Sequence, residues 1–87
     1  MNFSLIYEKR FIRDLVNIPV DERRMLKRRL EWLAENVYNI RHYNLRGMEF
    51  KEMYRFRIAN WRIFYRIDFN SEKIIVLSLK DRKDAYR

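Results

Sequence analysis

From Met53 to Arg66 the chain reads MYRFRI, then Ala59-Asn60, then WRIFYR, and four of these fourteen residues are arginine. A strand sends successive side chains to opposite faces, so Tyr54, Phe56 and Ile58 share one side and Arg55 and Arg57 the other. A two-residue loop at Ala59-Asn60 pairs Ile58 with Trp61 and Arg57 with Arg62. Trp61, Ile63, Tyr65 and Ile67 then join the apolar side, and Arg62, Phe64 and Arg66 the cationic one. The segment predicts a hairpin with a core under one face and an anion over the other.

Guanidiniums on neighbouring strands repel one another, which costs stability unless water, carboxylates or a ligand compensates. Outward arginines are often only solvated, or guard a sheet edge against aggregation. Here the charge is concentrated: Arg41 to Arg66 holds seven Lys and Arg against Glu49 and Glu52, a local +5 within a net charge of +8. Phe64 in their midst either packs against the sheet or stacks on a base.

A chain of 87 residues makes one domain, spanning 1–87, with room for one sheet and a pair of helices. It is 48% apolar with one Gly and one Pro, too hydrophobic for disorder. The positive charge points to a polyanion: nucleic acid, an anionic membrane or an acidic protein. With no cysteine and His42 as the only histidine, thiolate chemistry, disulfides and a His-rich metal site are excluded. The amino-terminal MNFSLIYEKRF lacks the apolar stretch of a signal peptide, and nowhere do eighteen apolar residues run together. The expectation is a soluble cytoplasmic protein with no membrane partner.

Phe3 to Tyr7 suits a strand, and Phe11, Ile12, Leu15 and Val16 recur at helical spacing between Glu8 and Asn17. Pro19 interrupts. A second helix begins near Val20, with Asp21 and Glu22 favourably placed in its first turn and Met25, Leu26, Leu30, Leu33 and Val37 as its apolar stripe, Trp32 lying to one side. Arg23, Arg24, Lys27, Arg28 and Arg29 form the opposite, solvated face. Asn39 to Glu49, around Gly47, reads as a loop, and His42, outside any constellation, as structural. Asp68 to Lys73 reads as a turn, followed by IIVLSL from Ile74 to Leu79, a central strand. Simple alternation puts Ile75, Leu77 and Leu79 toward the helices and Ser78, Lys80 and Arg82 on the arginine side. The expected fold is α+β: an N-terminal strand, a two-helix hairpin packed on one face of an antiparallel sheet ending in a three-strand meander, and an open, basic, concave face.

The leading strand and helix, NLRG at Asn44 to Gly47, the YRFRI and WRIFYRI strands, and the closing LKDRKDAYR together resemble the RelE/ParE superfamily of toxins from prokaryotic toxin–antitoxin pairs. The resemblance covers nearly the whole chain, with Trp61 where the family more often has Tyr. It implies that RelE-like members cleave messenger RNA in the ribosomal A site without a metal cofactor, and are held inactive by a cognate, RelB-like antitoxin that wraps around them. ParE-like members share the fold but poison DNA gyrase. Carried over by position, the basic pair of the first hairpin strand falls on Arg55 and Arg57, where RelE has lysines. The phosphate-contacting arginine of the next strand falls on Arg62, that of the last strand on Arg82, and the carboxy-terminal tyrosine on Tyr86.

RNA cleavage by internal transesterification needs a base for the 2′-hydroxyl, cations for the charge of the phosphorane, and an acid for the leaving 5′-oxygen. Arginine forks suit the second need, which makes Arg57, Arg62 and Arg82 the candidate catalytic cations. Tyr86 is the matched side chain with a transferable proton, as base or as a stacking group, and surrounding guanidiniums would lower its pKa. Arg55, Arg66, Lys80 and Phe64 are the candidate RNA contacts. The alternatives are a ParE-like gyrase inhibitor and a catalytically inert RNA-binding relative.

Overall fold

The structure, a computed structural model, describes residues 2–44 and 53–81. In chain order it runs β1 (Ser4–Tyr7), α1 (Lys9–Asp14), α2 (Val20–Glu35), β2 (Tyr43–Asn44), β3 (Met53–Ile58), β4 (Trp61–Asp68) and β5 (Lys73–Asp81). The sheet order is β1-β5-β4-β3-β2. The expected α+β architecture forms, with β3, β4 and β5 as an antiparallel meander. β1 joins it in parallel along β5, so the sheet is mixed. Parallel neighbours need a long crossover, and here the helices lie between β1 and the meander.

The helix α2 forms because Leu26, Leu30, Leu33 and Ala34 recur on one face, all buried, while Asp21 and Glu22 complement the positive end of its dipole. At its other end the Asn36 side-chain amide donates to the Trp32 carbonyl at 2.8 Å, satisfying a group the helix leaves open. The helix expected over Glu8 to Asn17 is shorter, Lys9–Asp14, and buries Phe11. These residues meet Ile58, Ile63, Tyr65, Ile74, Val76 and Leu79 of the sheet in one core. No helix among the described residues is long and apolar enough to cross a membrane.

The hairpin register matches the sequence expectation, with Ile58 opposite Trp61 and Arg57 opposite Arg62. Ala59 takes φ 52°, a left-handed conformation tolerated for the tight reversal. The strand β5 departs from simple alternation. Tyr65 pairs with Val76 but Phe64 pairs with Ser78, so Leu77 is an extra residue, a β-bulge. Before it the even positions Ile74 and Val76 are buried, and after it Leu79 is. The expectation that Ile75 and Leu77 face the helices is therefore corrected, while Leu79 keeps its place. Deleting Leu77 preserves every β4–β5 pair, so the deletion is expected to cost less than about 1.5 kcal/mol, the partial burial of one leucine. Urea unfolding checks this, and loss of cooperative folding would refute the bulge assignment.

β1 pairs with β5 only as far as Val76, which leaves the outer half of β5 without that neighbour. There the Asp14 carboxylate accepts a hydrogen bond from the Leu79 backbone N–H at 2.9 Å, so the end of α1 takes over the role of the missing strand. At the other end of the meander, the Ser71 N–H donates to Asp68 Oδ1 at 3.1 Å. This backbone bond, the largest of several influences, holds the exposed Asp68 carboxyl below the usual carboxylate range.

Candidate nucleic-acid interface

Strand register assembles the arginines into rows on the face away from the helix-side core. Arg57 lies opposite Arg62, and Arg62 opposite Lys80, a cationic row across β3, β4 and β5. With strands about 4.8 Å apart, the row spans roughly 10 Å. The next row carries Tyr43, Arg55, Phe64 and Ser78 across four strands. Arg55, Arg57 and Lys80 are exposed. Arg62, at the centre, is half-buried with its Nε shielded from solvent.

Arg55, Arg57 and Arg62 line one groove of 400 Å³, together with Arg29, Arg41, Trp32, Ile40, Tyr43, Phe56 and Tyr65. Five guanidiniums around one groove make a strong positive field in a partly water-excluded space. Two of the five, Arg29 and Arg41, were not singled out by sequence pattern. Arg29 sits on the helix face read as solvated, and Arg41 in the loop. Only the packing of α2 beside β3 brings them to the groove, and their one trace in the sequence is an aromatic nearby, Trp32 or Tyr43.

Of the other expected site residues, two join these rows and a third does not. Lys80 stands beside Arg62 by register, and Phe64, half-buried, lies between Arg55 and Ser78. Arg66 is at the far end of β4, in a different cleft of 440 Å³ shared with Asp68, Phe69 and Asn70. Arg82 and Tyr86, and Leu45 to Gly47 of the NLRG stretch, lie outside the described residues.

His42 takes a structural place. Its Nε2 is 2.7 Å from the Val37 carbonyl and its Nδ1 is 2.5 Å from the Tyr65 hydroxyl. A carbonyl only accepts, so in the neutral ring Nε2 carries the proton and Nδ1 accepts from Tyr65. The bridge ties the chain after α2 to the floor of the groove, and the Tyr54 ring packs against both partners. Burial, and next the neighbouring Tyr54, push the Tyr65 hydroxyl well above its ordinary value near 10. Tyr65→Phe leaves the imidazole nitrogen without its donor and is expected to cost about 1–3 kcal/mol. Because the folded phenol holds its proton more tightly, its contribution is complete below pH about 10 and is lost as pH rises through the folded value. Urea midpoints measured from pH 9 upward should fall less steeply in Tyr65→Phe than in the parent.

Between the helices lies a second, apolar cleft of 230 Å³, lined by Tyr7, Phe11, Ile12, Leu15, Leu26 and Leu30 with Arg23 and Lys27 beside them. Ile12 and Val16 are exposed close by.

The comparisons with known proteins agree with this architecture. A protein of Methanocaldococcus jannaschii that carries the name RelE1 is 26% identical over 88 residues, covering 100% of this chain and 98% of its own length. An archaeal RelE–RelB complex from Pyrococcus horikoshii contains a chain with a TM-score of 0.75 at 21% identity, covering 94% of this chain and 97% of that one. The isolated RelE toxin of E. coli gives a TM-score of 0.73 at 21% identity, over 91% and 83% of the two chains. The family described as the ParE toxin of the type II toxin–antitoxin system parDE matches residues 5–86. That match runs over nearly the whole sequence, including the meander and its arginine rows, and the chain therefore belongs to the ParE toxin family of type II toxin–antitoxin systems, within the RelE/ParE superfamily.

Proposed function

We propose that this toxin is a ribosome-dependent endoribonuclease that cuts messenger RNA in the A site and is neutralised by a cognate RelB-like antitoxin. The observation that carries the proposal is the row Arg57, Arg62 and Lys80, continuous with a groove that also holds Arg55. A row of cations on adjacent strands suits an RNA backbone threaded across the sheet.

In the proposed reaction the 2′-oxygen attacks the adjacent phosphorus as its proton leaves to a base, and the 5′-oxygen departs with a proton, giving a 2′,3′-cyclic phosphate and a 5′-hydroxyl. Arg57 and Arg62 hold the non-bridging oxygens and stabilise the charge that builds on them, with Arg82 as a third cation. Tyr86 is proposed as the proton carrier. Arg55, Lys80, Phe64 and Arg66 would hold the flanking RNA, Arg66 at a distance from the others. Arginine exchanges protons poorly, so the chain supplies charge more readily than acid–base chemistry. The ribosome, by fixing the RNA geometry, would supply the rest. For the antitoxin, an amphipathic acidic segment suits the apolar cleft between α1 and α2 with Arg23 and Lys27 beside it.

Primer extension on a defined messenger RNA tests this, with the purified chain added in the presence or absence of programmed ribosomes whose A site is empty. The expected result is cuts only with ribosomes. No cuts in either sample, with inhibition of purified DNA gyrase by the same preparation, would replace the proposal with ParE-type gyrase poisoning.

A further inference from the structure

We propose that Arg29 and Arg41, each laid over an aromatic ring, form a stacking subsite for a purine base of single-stranded RNA at the groove. The proposal deepens the RNA-cleaving function and rests on RNA entering that groove. The Arg29 guanidinium carbon lies over the Trp32 ring, 4.9 Å from its centroid, and 5.5 Å from that of Phe56. Trp32 and Phe56 themselves stack, with centroids 6.3 Å apart and planes inclined by 21°. The Arg41 guanidinium carbon lies 5.4 Å from the Tyr43 centroid. All five residues line the groove that holds Arg55, Arg57 and Arg62.

Phosphate binding needs only the charge and the N–H edge of an arginine. A guanidinium laid over an aromatic ring is already oriented, so less rotamer freedom is lost when something stacks on it. Bases of single-stranded RNA are recognised by stacking on aromatic rings and on guanidinium planes. The rings are also open to solvent, with Trp32 38% and Tyr43 53% exposed. A purine offers the larger π-face, and guanine adds the O6 and N7 acceptors that an arginine fork matches. Two such stacks beside three phosphate-binding arginines describe a site that takes a nucleotide by its base as well as its backbone.

The test compares oligoadenylate with an abasic ribose-phosphate oligomer of equal length at one salt concentration. Their phosphates are identical, so the ratio of affinities isolates the base. Fluorescence polarisation of labelled oligomers with the unaltered chain should show adenylate binding at least about fivefold tighter, the lower end for one stacked base. Trp61→Phe leaves Trp32 as the sole tryptophan, and its emission should be quenched by adenylate. Arg29→Leu and Arg41→Leu should each bring the ratio toward one. A ratio near one in the parent, or one unmoved by both variants while their melting temperatures shift, would overturn the subsite and leave the arginine–tryptophan stack as packing. A ratio near one alongside ribosome-dependent cuts removes the subsite and leaves the nuclease. A fivefold ratio without cuts leaves the subsite and removes the nuclease.

Discussion

Arg62→Ala is expected to lower ribosome-dependent cleavage by about 100- to 1,000-fold, the usual loss when one preorganised donor to a developing oxyanion is removed. Arg62 is the residue to choose because it stands between Arg57 and Lys80 in the cationic row and is half-buried, so under the proposed function its guanidinium would meet RNA already partly desolvated. Neither neighbour can reach its place without leaving its own. Arg62→Lys should recover only part of the rate, since an ammonium keeps the charge but loses the bidentate fork. The fold should survive the change, since Arg62 lies outside the buried apolar core, and the variant should remain folded at the assay temperature. Single-turnover cleavage on ribosomes and a thermal melt of the same preparation check both halves. Activity within tenfold of the parent would remove Arg62 from the proposed machinery, and a large fall in melting temperature would give it a structural role instead.

Leu33→Ala should have the largest effect on stability, about 2–5 kcal/mol. Leu33 is fully buried where α2 meets the sheet, in the same cluster as Ile63, Ile74 and Val76. A domain of 87 residues has a total of only about 4–13 kcal/mol to lose. The midpoint of thermal unfolding should fall by at least about 8 °C, given about 4–8 °C for each kcal/mol in a domain of this size. The cavity lies away from the arginine rows. Cleavage measured at a temperature where the variant remains folded should therefore stay far closer to the parent than that of Arg62→Ala. A cost below about 1 kcal/mol would mean that the helix layer collapses readily onto the sheet.

The two variants divide the molecule as its sequence does. The hairpin was legible from residues 53–66 because each link in it is local: a side-chain period of two, a two-residue reversal, and a register that follows from both. The arginine row across β3 and β4 came with it, since pairing Ile58 with Trp61 leaves Arg57 no partner but Arg62. The helix α2 was legible for the same reason, its leucines marking a buried stripe within one element. In β5 the alternation misled, because one extra residue at Leu77 reverses which parity faces the core, and an all-apolar run carries no mark of where that happens. Ile74 and Val76 are buried before the bulge and Leu79 after it, a switch of parity that the extra residue explains.

The candidate site shows the same division. Arg55, Arg57 and Arg62 could be grouped from the hairpin alone, but Arg29 and Arg41 could not, since nothing within α2 distinguishes an arginine that turns toward the sheet from its solvated neighbours. His42 is likewise silent in sequence. Its partners, Val37 and Tyr65, are five and twenty-three positions away, and the second is reached only when the sheet closes under the loop.

By itself the sequence determined what lies within reach of a single element: the amphipathic helix, the hairpin and its register, the cationic face, and the absence of cysteine chemistry. Tertiary structure alone decided the parallel seat of β1 beside β5, the bulge that reverses parity, and the joining of α2 to the arginine groove. Local periodicity records which face of an element is buried, whereas contacts between distant elements depend on how those faces pack, and no residue carries that information alone.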